Sequence, residues 1–313
     1  MSVAETCDLS AVDWIAVDWG TSNLRLWLMD RDDRVLAQRS SDQGMSGLTR
    51  AEFEPVLLDL ISDVATVADR IDVICCGMAG SRQGWAEAPY RTLPCSPVDF
   101  MAATRVSTRD SRLSVRILPG LRQDRPDDVM RGEETQIGGF LAHRPDFKGT
   151  ICLPGTHCKW VHVSDGQVKG FTSFMTGELF ALLSKSSVLR HSVDSDQVDH
   201  DSFLAAVSDA LATPELLTSA LFSLRAASLL RDVGPAESRS RLSGLLIGTE
   251  LAATRRFWLD QPVAIIGASG LGRAYQSAMH SQGVEAEIVD VAEQTIRGLC
   301  AARTAWKEFT HES

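Results

Sequence analysis

Two segments combine residue types suited to phosphate chemistry. Asp18-Trp19-Gly20-Thr21-Ser22-Asn23-Leu24-Arg25 places a carboxylate at the end of an apolar run, followed by glycine and small hydroxyl residues. A carboxylate there can hold a hydrated Mg2+, and a Gly-Thr-Ser-Asn turn can aim N–H groups at a phosphate. A plain hairpin with an Asx-type turn accounts for the same residues. Leu153-Pro154-Gly155-Thr156-His157-Cys158-Lys159-Trp160 repeats the theme and adds Lys159, an ammonium able to meet a phosphate. Here too an ordinary hairpin is the alternative. A third segment, Val263 to Gly272, superficially resembles a dinucleotide fingerprint. No complete βαβ unit is legible around it, and Asp290 is a poor candidate for the acidic residue such a site needs. A glycine-rich loop that lets the backbone approach an adenine or ribose is the better reading. No GxxxxGK[ST] run occurs, which excludes a P-loop enzyme.

Met130-Arg131-Gly132-Glu133-Glu134-Thr135-Gln136 opens a helix before the second Gly-Thr turn. Acidic residues in a first helical turn are favoured by the helix dipole, and that alone accounts for Glu134. Two carboxylates beside Arg131 can also supply a base for an alcohol. Cys152, His157, Cys158 and His162 have the spacing of no common structural zinc site. The remaining cysteines, Cys7, Cys75, Cys76, Cys95 and Cys300, are scattered with no CxxC pair, as expected of reduced core thiols in a cytoplasm.

These segments need strands and turns to present them. Trp14–Gly20, Leu24–Met29 and Arg34–Ser40 read as consecutive strands with turns at 20–23 and 30–33. Residues 53–68 carry apolar positions at helical spacing, and Ile71–Cys76 is a buried strand. The pattern recurs: Thr150–Leu153, Trp160–Val163 and Val168–Phe174 read as strands, with a hairpin turn at Asp165-Gly166. A long helical stretch runs to residue 258. Strand Val263–Ile266, helix 273–282, strand 286–289 and helix 291–306 follow. Ser186–Asp201 and Pro235–Arg241 read as polar surface loops. The two strand-turn-strand starts, each with Gly-Thr at the turn, suggest an internal duplication.

The chain has 313 residues, enough for about two domains of ~100–200 residues. It is 44% apolar and 23% charged, as soluble globular chains are. With 31 Lys+Arg against 41 Asp+Glu, the net charge is −10. No basic stripe is present, which argues against a nucleic-acid partner. A phosphate site must therefore be built locally. No stretch of about 18 apolar residues is present, so no membrane partner is expected. Residues 1–12 read as a short extension, with neither the basic nor the apolar part of a signal peptide.

Three glycine turns in this order, an Asp at the first, resemble the phosphate-1, phosphate-2 and adenosine segments of the actin-like ATPase superfamily. The likeness extends through Gly77-Met78-Ala79-Gly80-Ser81, Gly84-Trp85, Ala88-Pro89-Tyr90, Val129–Gln136, Pro154–Trp160, Met175-Thr176-Gly177-Glu178-Leu179 and Ser243–Gly248. Together these resemble the 2-dehydro-3-deoxygalactonokinase family over about residues 12 to 302. The resemblance implies an α/β protein of two ribonuclease-H-like domains, 13–128 for the sugar and 129–313 for the nucleotide. Closure of the cleft between them would exclude water. It implies transfer of the γ-phosphate of ATP, with Mg2+, to the 6-hydroxyl of 2-dehydro-3-deoxy-D-galactonate.

On this resemblance Asp18 orients Mg2+ through water. Gly20, Thr21 and Ser22 line the phosphates from one side, with Gly155, Thr156 and Lys159 on the other, and Gly267, Ala268 and Ser269 lie along the adenosine. Related carbohydrate kinases carry a base Asp where this chain has Glu133; Glu134 and Asp18 are its rivals. The substrate carboxylate calls for a cation, Arg82 or Arg131, with Lys159 as a third candidate. Ser81 lies in the same loop, and Trp85 and Tyr90 are candidate pocket walls. The rivals to a sugar-acid kinase are an ATPase or activator module without a sugar, a sugar sensor, and a kinase for the gluconate epimer. A homodimer is an expectation of the two-lobed plan; no interface is legible.

Overall fold

A computed structural model describes residues 9–66, 68–267 and 269–311, with the side chains of Ser269 and residues 309–311 left aside. Most of the expected N-terminal extension, with Cys7, lies outside the described residues, as does Ala268.

The chain divides into two units. The first holds strands β1 (Trp14–Trp19), β2 (Leu24–Met29) and β3 (Val35–Ser41), helices α1 (Phe53–Leu60) and α2 (Ser62–Ala65), and strand β4 (Ile71–Gly77). Strands β5 (Tyr90–Thr92), β6 (Thr104–Arg105), β7 (Leu113–Ile117), β8 (Gly120–Asp124) and β9 (Asp127–Met130) follow, then helix α3 (Glu133–His143). The main sheet has the order β3-β2-β1-β4-β7-β6. Strands β1 to β3 form an antiparallel meander, and β4 returns parallel to β1. β1 is apolar on both faces because both are covered. Ile15, Val17 and Trp19 face the core of Phe53, Leu57 and Trp85, while Trp14 and Ala16 face that of Leu299, Ala302 and Trp306.

The single helix expected over 53–68 is two helices. Arg39 of β3 donates to the carbonyl of Leu60 and forms a forked ion pair with Asp63, at 2.6 and 2.7 Å. Ile61 leaves helical geometry between them, at φ −115° and ψ 20°. The small sheet β5-β8-β9 had no legible signal, since its strands are short and mostly polar.

The second unit holds β10 (Gly149–Leu153), β11 (Cys158–Ser164), β12 (Gln167–Phe174), α4 (Thr176–Ser186), α5 (His200–Ala212), α6 (Leu217–Leu230), α7 (Pro235–Ala253), α8 (Arg255–Trp258), β13 (Val263–Ile266), α9 (Ser269–His280) and β14 (Ala286–Val289). Its sheet order is β12-β11-β10-β13-β14. Each of the two sheets therefore starts with an antiparallel meander whose first strand is joined by a parallel fourth. Two readings need correction. β13, α9 and β14 do form a βαβ unit, since β13 and β14 pair in parallel. Pro235–Arg241 is not a loop but the start of α7, with proline in the first turn, where its missing N–H costs nothing, and Glu237 on the favourable end of the dipole. In the 186–201 segment, Val188–His191 forms a 3-10 turn, and Asp199 caps α5 through Ser202 N.

The last helix, α10 (Val291–His311), counts with the first unit from Ala292 onward. The first unit runs to Phe147 and takes in Asp165–Val168 and the chain from Ala292 onward; the second comprises Lys148–Ser164 and Lys169–Val291. Packing is the reason. Gly139 of α3 lies directly against Gln294 and Gly298 of α10, and Trp306 stacks on Phe100 at 5.1 Å. Replacing Trp306, which is almost fully buried, by alanine is expected to cost about 3–5 kcal/mol. Urea unfolding measures this; a loss under about 1 kcal/mol would mean that α10 does not hold the first unit together.

Candidate functional site

In the first unit the chemistry gathers at the end of β1. Nothing charged sits comfortably within a strand buried on both faces, and Asp18 stands one residue before the strand ends. It faces Arg25 across the hairpin, Nη2 to Oδ2 at 2.6 Å. That partner is legible in hindsight from the hairpin register. Its other oxygen lies 3.9 Å from Cys76 Sγ. Burial, reinforced by the Asp18 charge, pushes the Cys75 and Cys76 thiols well up, so both remain inert. Gly20, Thr21 and Ser22 form the turn that follows, and Thr21 and Ser22 are exposed. A 3-10 turn, Met45–Gly47, braces it: Met45 N donates to Gly20 O, and Ser46 N and Oγ donate to Thr21 O.

Next to Asp18, β4 ends at Gly77, whose φ of 87° only glycine adopts easily. A Cβ there would lie 2.7 Å from the Trp19 carbonyl. Gly132, the residue before α3, lies against Gly77, which brings the start of α3 to the end of β1. The two acidic residues of that first turn differ sharply. Glu134 is 1% exposed and accepts from Gly132 N with both oxygens, at 2.9 and 2.7 Å. Burial, helped by the Glu133 charge, pushes its carboxyl up to about 8, against the pull of Arg131 and of nearby N–H groups. Glu133 is half-exposed, and its Oε2 accepts from Arg131 N at 3.0 Å.

Arg131 is buried. Its guanidinium lies over the Tyr90 ring at 4.2 Å and donates to Ala88 O at 2.8 Å, while Nη1 has no partner among the described residues. Gly80 adjoins Nη1, and the next residue, Ser81, is also buried with an unpartnered hydroxyl. Arg82 is exposed. Trp85 is a core residue, stacked on Phe53 at 6.0 Å and against Trp19 at 5.9 Å.

In the second unit Gly155 and Thr156 form the turn from β10 to β11, held by the start of α4. Gly177 packs so closely on this turn that a Cβ would fall 2.2 Å from Gly155 O. Glu178 N donates to Thr156 O at 3.0 Å, and the Glu178 carboxylate meets His157 Nε2 at 2.6 Å. Sequence reasoning named Thr176-Gly177-Glu178 only through the resemblance and gave it no role. Lys159 is 4% exposed, and its ammonium lies 3.5 Å from the His157 carbonyl oxygen.

Gly267 ends β13 beside Pro154 of the same turn. Ser269 opens α9. The glycines run G-x-x-G-x-G, not the G-x-G-x-x-G of a dinucleotide site. A cavity of about 820 Å3 lies alongside, lined by Gly270, Arg273, Ala274 and Ser277 of α9 and by Ser240 and Ser243 of α7. Its size is that of a small-molecule site. Among the described residues no cluster of three or more His, Cys, Asp or Glu could hold a metal. Mg2+ in phosphoryl transfer needs no such cage, because substrate phosphates and water complete its shell around one or two carboxylates.

A carboxylate at the end of the first strand, a Gly-Thr hairpin in each unit and a glycine segment beside a cavity are parts that a phosphotransferase can use. The comparisons narrow this further. The sequence pattern of the 2-keto-3-deoxy-galactonokinase family matches residues 18–302. A probable 2-dehydro-3-deoxygalactonokinase of Rhizobium meliloti (strain 1021) is 42% identical, over 94% of this chain and 97% of its own. The 2-dehydro-3-deoxygalactonokinase of Escherichia coli (strain K12) is 34% identical, over 88% and 92%. A crystal structure from Sinorhizobium meliloti, provisionally titled with the same activity, superposes with a TM-score of 0.87 at 41% identity, covering 93% of this chain and 98% of that one. The chain belongs to the 2-keto-3-deoxy-galactonokinase family.

Two outcomes follow from this geometry. Glu134 has a folded-state pKa of about 8, above its ordinary 4.5, so the folded state binds the extra proton. Its stabilisation is complete below about pH 4.5 and is lost as pH rises through about 8. Glu134→Gln should flatten that fall in unfolding free energy between pH 5 and 9, measured in urea. Gly177→Ala forces a methyl into the backbone of the Gly155-Thr156 turn; it should raise the KM for ATP at least about tenfold.

Proposed function

We propose that this chain transfers the γ-phosphate of ATP to the 6-hydroxyl of 2-dehydro-3-deoxy-D-galactonate, giving 2-dehydro-3-deoxy-6-phospho-D-galactonate and ADP, in the cytoplasmic catabolism of galactonate. The observation that carries the sugar-acid half is the juxtaposition in the first unit of Glu133 and Arg131. Glu133 is a half-exposed carboxylate, and two residues earlier Arg131 is a buried cation with an unused N–H donor. A neutral hexose gives no reason to bury an arginine with a donor to spare. A carboxylate does, because charge-assisted hydrogen bonds are about twice as strong as neutral ones.

The roles are as follows. Arg131, with Ser81 beside its Nη1, binds the substrate carboxylate, and exposed Arg82 is the second candidate. Glu133 takes the proton of the 6-hydroxyl as its oxygen attacks the γ-phosphorus; the electron pair of the breaking bond leaves with ADP. Glu134, protonated near neutrality, is poorly suited to that task, which favours Glu133 over its neighbour. Asp18 is the carboxylate that would hold Mg2+, an ion that would supply neutralisation of phosphate charge there. The Gly20-Thr21-Ser22 and Gly155-Thr156 turns supply N–H groups to those phosphates. Adenosine occupies the cavity beside Gly267 and α9. Both units are ribonuclease-H-like in strand order, the first holding the sugar acid and the second the nucleotide. The six described cysteines are free thiols, as suits a reducing cytoplasm.

A coupled ADP-release assay with Mg-ATP tests this, run with 2-dehydro-3-deoxygalactonate, its gluconate epimer, galactonate and no sugar. Release with the first substrate alone is the expected result. Equal rates with both epimers would remove the narrow specificity, and release without sugar would favour an ATPase module. Glu133→Gln should lower kcat at least about 10²-fold with ATP binding intact. Near-normal turnover would reject Glu133 as base. Arg131→Met should raise the KM for the sugar acid roughly 10- to 100-fold and leave that for ATP unchanged.

A further inference from the structure

We infer that Glu250 is a positioning residue for the nucleotide site of the second unit: its buried carboxylate fixes the phosphate turn and the cavity-lining helix in one arrangement and so sets nucleotide affinity without touching the ligand. The inference rests on the nucleotide reading of that unit given above.

Glu250 lies in the last turn of α7 and is 2% exposed. A carboxylate there is costly unless its lone pairs are filled. Three donors fill them, each from a different element. Trp160 Nε1 of β11 reaches Oε1 at 2.7 Å. Tyr275 OH of α9 reaches Oε2 at 2.8 Å, and Thr176 Oγ1 of α4 donates to the same oxygen. Burial raises the Glu250 carboxyl, and the hydrogen bonds from Thr176, Trp160 and Tyr275, with a further one from Cys158, pull it back toward the ionised form.

The three donors are placed around the ligand site. Thr176 precedes Gly177, which packs on Gly155 of the phosphate turn. Trp160 lies just beyond that turn on the strand leaving it. Tyr275 sits between Ala274 and Gln276, both of which line the 820 Å3 cavity. A second link closes the ring: Cys158 Sγ is 3.0 Å from Tyr275 OH and 3.5 Å from the Gly155 carbonyl. A well-packed apolar residue in the place of Glu250 would serve stability as well or better. It would not fix the direction of three separate elements, as a carboxylate with fixed lone-pair directions does. Sub-ångström placement of phosphate-binding N–H groups is what binding of a polyanion demands.

Calorimetric titration with Mg-ADP, together with the KM values for ATP and for the sugar acid, tests the inference. Thr176→Val and Tyr275→Phe each delete one hydroxyl, and Glu250→Gln sets an amide donor against donors. ADP affinity should fall about five- to tenfold in the first two and further in Glu250→Gln. The KM for the sugar acid should stay within about twofold. Thr176→Ser, which keeps the hydroxyl, should restore affinity. Folding of each variant is followed by circular dichroism; should Glu250→Gln not fold, Thr176→Val against Thr176→Ser decides alone. Wild-type ADP affinity in folded Thr176→Val and Tyr275→Phe overturns the inference, as does a parallel change in both KM values. Failure of the unmutated protein to bind Mg-ADP would instead overturn the nucleotide reading on which it rests.

Discussion

The strands at the centre of the two sheets are buried on both faces, and the rest of the molecule follows from that. β1 and β10 admit almost nothing but apolar side chains along their length. Polar chemistry can only be placed where each strand runs out. Asp18 stands at the end of one, and Pro154-Gly155-Thr156 follows the other. Both strands turn back at once into an antiparallel neighbour, so both chemical segments are hairpin turns. A tight turn with glycine and small hydroxyl residues is also what a phosphate requires: exposed N–H groups and little side-chain bulk.

Around these turns the protein uses close backbone approach more than side-chain reach. Gly77 and Gly132 bring the start of α3 to Asp18, and Gly177 brings the start of α4 to Gly155. Once α3 is docked, burial separates two adjacent carboxylates of the same chemistry. Glu134 turns inward, is held by Gly132 N and has its carboxyl pushed up to about 8 by burial; Glu133 stays half-exposed and accepts from Arg131 N. The same logic runs through Glu250, whose charge is tolerable only because three elements converge on it.

What the local pattern made legible is specific. The meander Trp14–Ser40, the strand Ile71–Cys76, the hairpin turn at Asp165-Gly166 and the strands at 263–266 and 286–289 all have apolar runs bounded by turn residues, and the structure contains them. The break of a helix at Ile61 was not legible, because Arg39, some twenty residues away, takes the Leu60 carbonyl and the Asp63 carboxylate. Nor was the return of α10 to the first unit, which depends on glycine faces on α3 and α10 fitting each other.

For the site, motif order and spacing alone determined the class: Asp18 with its Gly-Thr-Ser turn, Gly155-Thr156, Glu133 and the Gly267 segment, in a sequence that identifies the family. These are local features, and a turn or a helix start is encoded within a few residues. Tertiary structure alone decided which of those residues remain available for chemistry. It buried Lys159 and Trp85, buried Arg131 with Nη1 unpartnered among the described residues, and set Glu133 apart from Glu134 in exposure. It also brought Trp160, Thr176 and Tyr275 onto Glu250. Burial and partnership are properties of what packs against a residue, and the packing partners come from distant parts of the chain.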